Sequence, residues 1–102
     1  MVLVRSTYGS EDDAAGAARR LVEARVACCV HVLPIRSVYR WEGRVEDEAE
    51  WVLEARTTPG RRDDLVAALE GDHPYDTPLV EVLGETMVTR GYADWAHDCL
   101  AG

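Results

Sequence analysis

Along the chain, short apolar runs of strand character alternate with segments whose apolar residues recur at helical spacing. Val2 to Thr7 is a β-prone run. Ser10 then sits in "SEDD", placed to cap a helix, with Asp13 three residues on and close to a capping box. Ala14, Ala17, Ala18, Leu21 and Val22 repeat at helical spacing and predict a first helix to about Arg25. Val26 to Tyr39 is rich in Val, Cys and Ile, with Pro34 interrupting. Proline has no N–H to give to a ladder, so this strand is expected at a sheet edge, or with a bulge at the proline.

From Val45 to Thr57 the pattern alternates. Val45, Ala49, Trp51, Leu53 and Ala55 share one parity, and Glu46, Glu48, Glu50, Glu54 and Arg56 the other. One buried face and one solvated acidic face are the expectation. Glu42-Gly43 makes the turn between the two strands. At about 3.3 Å per residue, each arm of this hairpin runs to roughly 40 Å or more, longer than so small a domain is wide. An overhanging edge strand carrying Tyr39 and Trp41 invites pairing with another copy, and closure in a ring would remove the free edges.

Thr58 caps and Pro59 opens the next helix, with Leu65, Ala68 and Leu69 as its inner stripe and Gly71 at its end. "DHPYDTP" is a loop with two prolines. Leu79 to Leu83 is a further strand. Tyr92, Trp95, Ala96, Cys99 and Leu100 stand at i, i+3, i+4, i+7 and i+8, the inner face of a C-terminal helix. The order β-α-β-β-α-β-α predicts an α+β protein. Its first six elements form a ferredoxin-like βαββαβ sandwich, in a single domain over residues 1–102. Helices would cover one face of the sheet. A bare opposite face is a predicted interface.

Composition narrows the partners. A formal net charge of -8 argues against nucleic acid, which needs a basic stripe. No apolar run approaches the roughly 18 residues that span a membrane, and the apolar part of the N-terminus is too short for a secretory signal. A cytoplasmic protein is expected. Cys28, Cys29 and Cys99 are odd in number, two of them adjacent, with no CxxC, so a reducing compartment fits better than a disulfide framework.

Candidate chemistry is sparse. His73, between a helix end and two prolines, is held rigidly enough to ligate a metal or act as a base, although a loop histidine is more often a hydrogen-bonding residue. Cys29 is either a small core residue or, with His31 on the same strand parity, half of a soft-metal pair. A closed zinc site would need four ligands. The glutamates of the hairpin suit a divalent cation or simple solvation. No Ser-His-Asp set, P-loop, GxGxxG or HExxH is present, so no enzyme is expected.

Several segments together resemble one family. "LVEARVACCVHVLP", "SVYRWEGRVEDE", "ARTT" before a helix, "HPYDTP" and "YADW" stand in the order and spacing of the CutA divalent-cation tolerance proteins. The resemblance covers nearly the whole chain. It implies a homotrimer in which long hairpins pair between subunits, a link to divalent metal (copper) binding and response, and an architecture similar to the PII signalling trimers. It matches Cys29 to the family cysteine, Tyr39 and Trp41 to the family aromatics, and His73, Pro74 and Tyr75 to its H-P-Y. Arg56 stands where the family usually has Lys, keeping the charge but not the geometry. Leu79 stands where the family commonly has Glu, so a metal site would fall to Cys29 and His73, with Glu81 or Asp76 in place of the missing carboxylate. Tyr39, Trp41, Arg56 and Tyr75 are then interface or cleft residues. The other readings are a PII-like sensor of a small anion held by Arg56, and a structural trimer that binds protein partners. No organic cofactor is expected.

Overall fold

A computed structural model describes all of residues 1–102. The element order is β1 (Val2–Tyr8), α1 (Glu11–Glu23), β2 (Cys29–Trp41), β3 (Arg44–Thr57), a 3-10 turn (Pro59–Arg61) running into α2 (Arg62–Asp72), β4 (Val80–Glu85) and α3 (Arg90–Leu100). The four strands form one antiparallel sheet in the order β2-β3-β1-β4, the ferredoxin-like arrangement. Pro34 lies on the edge strand β2, opposite Trp51, and the register runs through it without a shift. No helix is long and apolar enough to cross a membrane.

The core follows from strand parity. Val2, Val4, Ser6 and Tyr8 point to one face, joined by Leu53, Ala55 and Thr57, which pair with Ser6, Val4 and Val2. On them lie Ala14, Ala17 and Leu21 of α1 and Leu65 and Leu69 of α2. Alanines on α1 let that helix sit close to the strands. Leu53, Leu65 and Val4 are wholly buried, so truncating Leu53 or Leu65 to Ala costs about 2–5 kcal/mol.

Helix ends differ slightly from expectation, for local reasons. Ser10 does cap α1, accepting from the Asp13 amide at 3.1 Å. The helix stops at Glu23 rather than Arg25, because Arg25 takes a left-handed conformation at φ 59°. The Arg25 and Val26 amides then donate back to the Val22 and Leu21 carbonyls, the Schellman pattern. A glycine is usual there. Here the Arg25 guanidinium donates to the Cys99 carbonyl at 2.8 Å and to that of Ala101, tying α1 to the end of α3. Thr58 makes no side-chain cap, and α2 continues past Gly71 to Asp72.

The molecule measures 46 × 23 × 21 Å, and the hairpin sets the long axis. Its turn is Glu42-Gly43, both at positive φ (50° and 80°), the two-residue geometry whose twist matches the strands. Beyond Glu50 no helix lies over the hairpin. Val45 and Ala49, whose parity predicts burial, are therefore exposed, and Val38, Val45 and Trp41 stand 63%, 65% and 50% exposed. The opposite correction falls on Glu50. It belongs to the parity expected to be solvated, yet it is 8% exposed.

Candidate functional site

The face of the sheet away from α1 and α2 carries rows of aligned side chains. Cys29, Arg56 and Leu3 are in register, then His31, Glu54 and Arg5, then Leu33, Val52 and Thr7. Arg5 at the centre pairs with Glu54 at 3.2 Å and with Glu81 at 3.5 Å. Two hollows lie on this face, one at each end of β1.

The first, of about 400 Å³, lies under the hairpin, where Tyr39, Trp41, Glu48 and Glu50 face Tyr75, Asp76, Thr77 and Leu79. The HPYDTP loop builds its wall. His73 stacks on Tyr8 with ring centroids 4.2 Å apart and leans on Tyr75 at 4.9 Å. The Tyr75 amide donates to Nδ1 at 3.1 Å, so that nitrogen is unprotonated. Nε2 therefore carries the proton and donates to the Thr7 carbonyl at 2.8 Å. Burial holds the His73 pKa below its ordinary value, against the opposing pull of the Thr7 carbonyl and of Asp13, Asp72 and Glu50. The imidazole is neutral, with both nitrogens engaged.

From this brace the Tyr75 hydroxyl reaches across the sheet and donates to Glu50 at 2.9 Å. The approach needs Gly9, since a Cβ there would lie 2.9 Å from the Tyr75 oxygen. Burial, then the bond to Glu50 and its charge, raise the Tyr75 pKa far above the usual phenol value. Tyr39 donates to Glu48 at 3.2 Å, and its pKa is likewise raised, by desolvation first and then by the neighbouring carboxylates. The hollow is thus aromatic and acidic, with Leu79 contributing no donor atom.

The second hollow, of about 380 Å³, lies at the start of β2 and is lined by Cys29, His31, Arg56, Met87, Val88, Thr89 and Tyr92. Cys29 Sγ and His31 Nε2 are 3.5 Å apart. The Tyr92 hydroxyl is pushed up to about 12 by burial and by the adjacent Cys28 and Cys29 thiols. Cys28 is buried, which raises its own pKa, and its Sγ contacts the Arg56 carbonyl at 3.3 Å. The Arg56 guanidinium has no ion-pair partner in the protomer.

The three candidate metal ligands read from the sequence are placed apart. Cys29 lies in the row of Leu3, His73 bonds to Thr7 at the other end of β1, and Glu81 is held by Arg5 between them. No group of three or more His, Cys, Asp or Glu side chains is arranged to hold a metal ion. Of the expected cleft residues, Tyr39, Trp41 and Tyr75 come together in the first hollow, while Arg56 is in the second. Glu50 carries no mark of a cleft residue in the sequence, because period-two alternation is the same for a solvated face and for one that a distant loop covers. Thr89 and Met87 carried no sequence signal at all.

A four-stranded ferredoxin-like sheet with an overlong hairpin and an aromatic, acidic cleft beneath it defines the class: a small α+β protein with one sheet face open. The family model of the CutA1 divalent ion tolerance protein matches residues 2–99, and the chain belongs to that family. It is 34% identical over 98 residues to the divalent-cation tolerance protein CutA of Thermotoga maritima, covering 96% of this chain and 97% of the relative. It is 35% identical over 97 residues to the Thermus thermophilus CutA, covering 94% of each. Among solved structures, CutA from Synechococcus elongatus PCC7942 superposes with a TM-score of 0.93 at 35% identity, over 98% of this chain and 89% of the other. CutA1 from Oryza sativa gives 0.90 at 29% identity, over 98% and 93%. These relatives are named for tolerance of divalent cations, not for a catalysed reaction.

Proposed function

We propose that the protein acts as a homotrimer in the response to divalent metal ions such as copper, in the cytoplasm, without catalysing a reaction. The observation that carries the assembly is the hairpin. Val38 and Trp41 of the edge strand β2, and Val45 on the part of β3 that runs past β1, are exposed beyond the protomer's own core, and the backbone groups of β2 have no partner on one side. Hairpins of neighbouring copies, paired in a closed three-fold ring, bury these side chains and remove the edge. The names of the relatives support the link to divalent cations. Three free thiols suit a reducing compartment.

Light scattering on the purified protein tests the assembly. The expected mass is about three times the 11.3 kDa of the chain. A monodisperse monomer or dimer at micromolar concentration overturns the reading. A calorimetric screen with copper and zinc tests the metal side.

A second reading has its own observation. Arg56 is an unpaired cation in a hollow that also holds His31 and Thr89, which suits a small anion bound by a PII-like trimeric sensor. Nucleotides and inorganic phosphate in the same screen separate it from the metal reading. A purely structural trimer that binds protein partners gives heat with neither.

A further inference from the structure

The chain has three cysteines and two methionines, spread from position 1 to position 99, and the fold gathers them at one end. Cys28, Ala96 and Leu100 form a small buried cluster, against which Met1, Cys29, Tyr92 and Cys99 pack. Met87 lines the adjoining hollow. Within this sulfur-rich corner one pair faces the open groove. Cys29 and His31 are two residues apart on β2, so their side chains project to the same face, and Sγ and Nε2 lie 3.5 Å apart. His31 is exposed and Cys29 half-buried, so the pair is reachable from solvent. His31 Nδ1 has no partner in the protomer, which leaves the ring free to turn its Nε2 lone pair toward an ion.

We propose that this groove is a site for a thiophilic monovalent d10 cation, held between Cys29 Sγ and His31 Nε2. Two observations select the kind of ion. No third His, Cys, Asp or Glu is placed to join the pair, and Zn(II) wants four ligands, whereas a monovalent d10 ion is satisfied by a thiolate and an imidazole alone once the two side chains part from their 3.5 Å contact to admit it. The second is charge. Binding forms the sulfur–metal bond as the thiol S–H bond breaks and its proton leaves to solvent, so a monovalent ion leaves a neutral thiolate–metal–imidazole unit. A divalent ion leaves a net positive unit beside the Arg56 guanidinium, which lines the same groove without a counter-ion. Cys28 is buried against the Arg56 carbonyl and serves as wall rather than ligand. The site lies within one protomer and does not rest on the trimer, so a failed mass measurement leaves it standing.

The test is calorimetric titration of the reduced full-length protein with Ag(I), a redox-silent probe, in a chloride-free buffer, with Zn(II) as the comparison. A Cys28→Ala/Cys99→Ala background leaves Cys29 as the only thiol. One tight Ag(I) per chain is expected in that background. Cys29→Ser abolishes it, His31→Ala weakens it by about tenfold or more, and Zn(II) binds far more weakly. Since the background variant removes a buried thiol, the same titration is followed on the unmodified protein by nitrogen NMR of the imidazoles. There the His31 Nε2 resonance should move with the first equivalent while that of His73 stays. Ag(I) affinity untouched by His31→Ala, an unmoved His31 resonance, or Zn(II) binding as tightly as Ag(I) overturns the proposal.

Discussion

The Tyr75 hydroxyl donates to the Glu50 carboxylate at 2.9 Å, joining the loop after α2 to the middle of β3. This contact turns a strand position of acidic, outward parity into a buried one. It also closes one side of the cleft under the hairpin. A buried carboxylate deprived of its donor is costly, because hydrogen bonds to charged groups contribute about 1.5–3 kcal/mol.

Tyr75→Phe is therefore expected to destabilise the protein by about that amount, despite removing a single oxygen. Tyr75→Phe combined with Glu50→Gln should recover part of the loss, since the amide is cheaper to leave unpaired. Denaturant midpoints of the two variants decide it. Equal stability of Tyr75→Phe and the parent would mean that water satisfies Glu50 in solution.

His73 makes stability depend on pH. Its folded pKa lies below the ordinary 6.5, so the unfolded chain takes up a proton first as pH falls. The neutral ring's contribution is fully present above about pH 6.5 and is lost as pH falls through the folded value, with a slope of at most about 1.4 kcal/mol per pH unit. Protonation at Nδ1 also breaks the bond from the Tyr75 amide. Thermal melts between pH 7.5 and 5 should show a steeper decline for the parent than for His73→Ala. Parallel declines would assign the pH dependence to other groups.

Trp41 is half exposed in the protomer, so in the proposed trimer its contribution would go to assembly. Trp41→Ala should shift the mass measured by light scattering toward smaller species on dilution, with the helical circular dichroism of the protomer retained. An unchanged mass at every concentration would place Trp41 outside the interface. The protomer-core substitution Leu53→Ala should do the reverse, lowering the melting temperature through the lost core packing.

The hairpin turn can be improved. Glu42 holds a left-handed conformation at φ 50°, which costs a side chain with a Cβ roughly 1–2 kcal/mol and which Asn tolerates better. Glu42→Asn should raise stability by about 0.5–1 kcal/mol, read from the denaturant midpoint. Gly43→Ala, where open space surrounds the added methyl, should lower it through backbone strain alone.

Much of this was readable from the chain. The apolar periods of α1, α2 and α3, the Ser10 cap, the Glu42-Gly43 turn and the edge position of Pro34 are local. They depend on residues within a few positions of one another, which is what periodicity and capping report. The order of elements then leaves few sheet topologies, and the ferredoxin-like one follows. The length of β2 and β3 likewise announced a hairpin that outruns its own domain. What tertiary structure decided depends on pairs far apart in sequence. Glu50 meets Tyr75 across 25 positions, Arg25 meets Cys99 across 74, and His73 finds the Thr7 carbonyl across 66. Alternation along β3 cannot distinguish a glutamate facing water from one facing a tyrosine brought in by a loop, nor show that Val45 lies beyond the reach of the helices. The sulfur-rich corner is of the same kind. Cys28, Cys99 and Met1 carry no common motif, and they become neighbours only because α3 docks against the first residues of the chain and the entry to β2.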